Sequence, residues 1–123
     1  MKLHHLALGA RDVAALARFY TAAFELFEVA RHHYDDGRLR SIWLRFSEGP
    51  VLMIEETSLT RPHQEGVDGG FFLLAMAIEE GERSALEDRL LRLGAPIEDR
   101  SSYSSYARDP EGNRIALSFY PLP

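Results

Sequence analysis

The feature that most constrains the fold is a hydrophobic pattern that runs twice along the chain. Strand, helix and three strands are read between residues 3 and 55, and the same order returns between 71 and 120. In the first pass, residues 3–8 alternate at period two, with Leu6 and Leu8 on one face and His5 and Ala7 on the other. Asp12 is placed to cap a helix in which Val13, Leu16, Ala17, Tyr20 and Phe24 recur at helical spacing. Strands are predicted over 26–34 and 39–46, joined by a hairpin at Asp36-Gly37, and a fourth over 51–55. Residues 57–69 are polar, carry Pro62, Gly66 and Gly69, and read as a linker. The second pass has a strand over 71–78 and a helix over 83–93 with Leu86, Leu90 and Leu93 on one face. Gly94 sits at its C-terminal cap and Pro96 prevents its continuation. Strands over 96–101, 103–108 and 113–120 complete it. The expected fold is α+β, one domain of two βαβββ modules: module one 1–56, linker 57–69 and module two 70–123.

The last two strands meet at Asp109-Pro110-Glu111-Gly112-Asn113. Pro110 presets the backbone of a type I turn, and Asp109 can accept hydrogen bonds from the backbone that follows it. Gly112 supplies a left-handed residue, as three-residue hairpins need. After the turn, Ile115, Leu117 and Phe119 alternate with Arg114, Ala116 and Ser118. The second set is chemically quiet.

Composition excludes several classes. The chain has no cysteine, so it has no disulfide, no thiolate metal site and no cysteine nucleophile, which suits a cytoplasmic protein. A net charge of −5 without a basic stripe argues against a nucleic-acid partner. No export leader is visible at the N-terminus, and the apolar runs are too short to span a bilayer. Gly69-Gly70 precedes a strand and is no dinucleotide loop, and the serines at 101, 102, 104 and 105 form no nucleophile elbow.

His5-Leu6-Ala7-Leu8, Arg18-Phe19-Tyr20 and above all Arg108-Asp109-Pro110-Glu111-Gly112-Asn113-Arg114-Ile115 resemble the vicinal oxygen chelate superfamily. That group contains glyoxalase I, extradiol dioxygenases, and fosfomycin- and bleomycin-resistance proteins. At Phe24-Glu25-Leu26 the family commonly has Leu-Gly-Phe. The resemblance implies a curved eight-stranded cup with helices packed outside, and in many members a homodimer. In the enzymes it implies a divalent metal held by one residue from the first and last strand of each module. His5 matches the first ligand position, but Met53, Leu73 and Ala116 stand at the other three. A catalytic divalent ion needs about three protein donors of O or N type. No cofactor is therefore expected and a divalent metal is disfavoured, with His5 its one weak candidate. A displaced site, built from His5, Glu55 and a donor from His32, His33 or His63, is the alternative. Period two also puts His4 and His5 on opposite faces, as it does His32 and His33.

The expected function is metal-independent binding or sequestering of a small molecule, apolar or cationic. The alternative is a metal-dependent lyase or dioxygenase of the glyoxalase type. The expected ligand-binding residues are His5, Met53, Glu55, Leu73, Trp43, Tyr103, Tyr106, Ala116 and Ser118, which form a mostly apolar hollow with a few polar points. Tyr34 is a further candidate for an aromatic wall, and Arg40 and Arg45 for anchoring an anionic group.

Overall fold

The computed structural model describes residues 1–60, 62 and 65–123, so the linker histidine His63 lies outside the described residues. The chain divides into two compact units, Met1–Arg61 and Pro62–Pro123. Each contains one helix and one four-stranded mixed sheet.

In the first unit, β1 (His5–Ala10), α1 (Val13–Phe24), β2 (Phe27–His33), β3 (Leu39–Arg45) and β4 (Val51–Glu56) follow in order. The sheet order is β1-β4-β3-β2, and β1 runs parallel to β4. Asp12 caps α1 through its carboxylate, which accepts from the Ala15 N–H at 2.9 Å. Val13, Leu16, Ala17, Phe19, Tyr20 and Ala23 are the buried face of that helix, and Ile42, Leu44, Leu52 and Ile54 are buried apolar residues of β3 and β4 that alternate in step with one another. Side chains alternate along a strand, so the residues between these apolar ones form a second face of the sheet.

Helix α1 ends on Glu25, which takes the left-handed conformation (φ 58°) where the superfamily pattern has glycine. Its N–H still donates to the Thr21 carbonyl at 3.1 Å, so the cap geometry has survived the loss of glycine. The left-handed region costs a residue with a Cβ roughly 1 kcal/mol. Glu25→Gly is expected to raise the unfolding free energy by about 0.5 kcal/mol after the entropy of the freer unfolded chain is offset. Urea denaturation of the two proteins measures it.

The second unit repeats the order: β5 (Leu74–Ala77), a single 3-10 turn, α2 (Arg83–Arg92), β6 (Asp99–Arg100), β7 (Ser104–Arg108) and β8 (Arg114–Ser118), with sheet order β5-β8-β7-β6. Helix α2 closes as the sequence predicts. Gly94 is left-handed (φ 82°), its N–H donates to Leu91, and the Ala95 N–H donates back to Leu90 at 2.8 Å. Leu90 is its one fully buried residue, whereas Leu93, read from spacing as part of the apolar face, is 37% exposed because it is the cap residue. At the β7–β8 hairpin the buried Asp109 carboxylate accepts from the N–H groups of Glu111 and Asn113 and from the Asn113 side-chain amide, all at 2.9 Å.

Strands β5 and β6 are shorter than their sequence patterns. β5 keeps four of the eight residues predicted over 71–78, and Phe71 is 86% exposed. A strand lasts only as long as its partner supplies hydrogen bonds, and β8 pairs with β5 only from Leu74 to Ala77.

Candidate functional site

The strand registers determine which side chains share a face. In the first unit, Ala7 pairs with Met53 and Met53 with Trp43, while Gly9 pairs with Glu55 and Glu55 with Ser41. His5 pairs with Val51, which pairs with Arg45. His5, Ala7, Val51, Met53, Glu55, Ser41, Trp43 and Arg45 therefore share the face opposite the α1-packing residues.

Trp43 is the centre of this face. The His5 ring stacks on it with centroids 5.9 Å apart and planes at 26°, and the His32 ring meets it edge-on at 5.7 Å. Both imidazoles are exposed, while Trp43, Met53 and Glu55 are half-buried. Two polar atoms of this face are sealed from solvent without a hydrogen-bond partner: Trp43 Nε1 and Ser41 Oγ. Ser41 is only 1% exposed. A buried unpaired donor costs on the order of 1–3 kcal/mol, so such a pair is retained at a cost in stability. The carboxylate of Glu55, the part of the residue that reaches solvent, lies 3.8 Å from Arg40 Nε, a long contact.

One expectation is overturned here. His4 and His5 do not point apart, because β1 begins only at His5 and strand alternation does not extend back to His4. Their Nδ1 atoms lie 2.8 Å apart and the rings meet edge to face. One Nδ1 donates and the other accepts, so His5 Nδ1 is already engaged.

In the second unit, Ala75 pairs with Ala116, and Ala116 with Tyr106; Ala77 pairs with Ser118, and Ser118 with Ser104. Ala116 is buried, Ser104 Oγ donates to Ser118 Oγ at 2.8 Å, and the Arg114 guanidinium lies over the Tyr106 ring at 4.8 Å. Leu73 directly precedes β5 and is half-buried. Tyr103 lies just outside β7, against Phe119 and Tyr120 at 5.6 and 5.3 Å, and is 43% exposed. Tyr34 sits at the β2–β3 turn under the Arg38 guanidinium.

These residues do not fit a divalent cation. Met53, Leu73 and Ala116 offer no hard donor, and among the described residues no group of three or more His, Cys, Asp or Glu side chains could hold an ion.

A separate open groove of about 470 Å³ lies on the second unit, lined by Glu80, Arg83, Ser84, Glu87, Arg100 and Phe119 among others. Its charged floor is committed to the fold. The Glu87 carboxylate accepts from Arg100 Nε and Nη2 at 3.0 and 2.8 Å and from the Ser105 hydroxyl. Those bonds, with Arg83 adding to them, outweigh burial and hold the Glu87 carboxyl at about 2. Arg83 in turn donates to the carbonyls of Ser101, Ser102 and Ser104.

Sequence reasoning missed Ser41 and placed His32 on a plain surface. Ser41 was findable, since it alternates with Ile42 and Leu44 in step with Trp43. His32 was not, because β2 pairs with β3 through register shifts at 28–30 and 32–33.

A glyoxalase-like domain model matches residues 5–118. A fosfomycin resistance protein from Listeria monocytogenes, solved with manganese(II) and a dihydroxypropylphosphonic acid, is 19% identical. The match covers 98% of this chain and 93% of that one, with a TM-score of 0.81. A glyoxalase/dioxygenase from Nostoc punctiforme is 20% identical over 98% and 92%, with a TM-score of 0.79. A possible glyoxalase from Bacillus cereus is 20% identical over 96% and 98%, with a TM-score of 0.76. No curated protein sequence matches the chain.

Proposed function

Because the chain belongs to the glyoxalase-like domain family of the vicinal oxygen chelate superfamily, yet lacks that superfamily's metal donors, we propose that it binds or sequesters a small molecule without a metal. The observation that carries this reading is the donor set. Methionine, leucine and alanine occupy three ligand positions, which leaves His5 as the one donor, and one imidazole does not hold a catalytic divalent ion. Apolar groups in those positions raise the cost of desolvating an ion and lower that of desolvating an organic ligand. The ligand contacts the first-unit face around Trp43, Met53 and His5. The family resemblance extends the reading to a homodimer, and the cysteine-free composition to the cytoplasm.

A panel of neutral, anionic and cationic aromatic compounds, titrated with and without a chelator, tests the proposal. Trp43 is the sole tryptophan, so its emission reports on the site directly. Saturable quenching unchanged by the chelator is expected. Binding that the chelator abolishes, or no response across the panel in fluorescence and thermal shift, overturns it.

A second reading, a glyoxalase-type lyase or dioxygenase with a displaced metal, has in its favour that His5 stands at a superfamily ligand position, and it would need at least two further donors.

A further inference from the structure

Resting on the binding reading above, we infer that the first-unit face recognises a neutral, planar amide: a flat compound whose carbonyl oxygen accepts from Trp43 Nε1 and Ser41 Oγ and whose N–H donates to Glu55. Three observations lead there. Trp43 Nε1 and Ser41 Oγ are buried, unpartnered, and two residues apart on one face of β3. Nε1 can only donate and a serine hydroxyl can do so, so the group they lack is an acceptor. Glu55 on β4 stands directly opposite Ser41 on the adjacent strand, at a cross-strand side-chain distance of about 5 Å. An ionised carboxylate accepts and never donates, so the complementary edge carries an oxygen beside an N–H.

Charge decides between a neutral carbonyl and a carboxylate ligand. The charged group in register with Ser41 is Glu55, which repels an anion. Arg45 shares the face but is exposed, and lies about 7 Å beyond Trp43 along the strand, away from Ser41. Arg40, at 3.8 Å, partly offsets Glu55 without removing its acceptor oxygens. A flat ligand suits the setting, since the rings of His5 and His32 already lie against the indole. Both imidazoles are exposed, and His32 touches the indole only edge-on, so it is the ring that can turn outward to admit the ligand edge.

The test is calorimetric titration of the full chain with uracil and nicotinamide, against benzoate and phenyltrimethylammonium as anionic and cationic aromatic controls. The amides are expected to bind more tightly than both controls. Trp43→Phe keeps a ring and removes the N–H, and should weaken amide binding by about tenfold. Ser41→Ala should act in the same direction and decides the matter where Trp43→Phe disturbs folding by far-ultraviolet circular dichroism. Amide affinity unchanged in Ser41→Ala and in a folded Trp43→Phe overturns the inference, as does tighter binding of benzoate or of the cation. In the latter case the binding function itself stands; failure of every compound removes both.

Discussion

Replacing Glu87 with alanine is expected to lower the unfolding free energy by about 3 kcal/mol, the combined cost of losing its charge-assisted bonds to Arg100 and Arg83 and of taking the acceptor from the buried Ser105 hydroxyl. The melting temperature should fall by roughly 10 °C for a chain of this size. Glu87 is 15% exposed at its side chain, and it ties α2 to β6 through Arg100 and to β7 through Ser105. Its loss takes away the acceptor of the buried Ser105 hydroxyl, which keeps only its bond from Arg83 Nε at 2.9 Å, and leaves Arg83 without its carboxylate. The same group gives the chain an acid limb. Its folded pKa of about 2 lies below the ordinary 4.5, so its stabilising contribution is complete above about pH 4.5 and fades as pH falls toward 2. Glu87→Gln should flatten that part of the stability–pH curve, measured by urea midpoints between those two values. An unchanged slope would show that the carboxylate does not carry the network.

Asp109→Ala should cost about as much, roughly 3 kcal/mol, for a different reason. The Asp109 carboxylate accepts two backbone N–H groups and one amide within a closed turn, and hydrogen bonds to a charged acceptor are the stronger kind. Alanine leaves these donors without it in a turn whose aspartate is only 4% exposed. Asp109→Asn separates charge from geometry. One amide oxygen can still take the two backbone bonds from Oδ1, but its NH₂ then faces the Asn113 NH₂ across what is now a 2.9 Å bond. Asparagine should recover about half of the loss, by chemical denaturation. Equal losses for both substitutions would mean that the turn needs the full carboxylate.

Those two carboxylates mark where sequence and structure part company. The Asp109 turn was readable, because each of its residues has a local reason to be there: Pro110 for φ, Gly112 for a left-handed step (φ 85°), Asp109 for nearby N–H groups. The duplicated element order was readable too, since alternation and helical spacing are local. Glu87 gave no such signal. Its partners Arg100 and Ser105 are 13 and 18 residues away and meet it only once α2 lies against β6 and β7. The site divides in the same way. Alternation placed His5, Met53, Glu55 and Trp43 on faces that the registers bring together in the first unit. The contact of His32 with Trp43 depends on register shifts in β2, and the approach of His4 to His5 depends on where β1 begins. Neither fact is local. Strand length was the other blind spot: β5 is cut short by its partner rather than by its own residues.

The donor set is what the functional account rests on, and calorimetric titration of dialysed protein with manganese(II), nickel(II) and zinc(II) tests it most directly. With Met53, Leu73 and Ala116 at the superfamily's ligand positions, the account predicts no stoichiometric uptake at micromolar ion concentrations. Uptake of one ion per chain at micromolar or tighter affinity, lost in His5→Ala, would contradict it and make the chain a metal-dependent enzyme candidate.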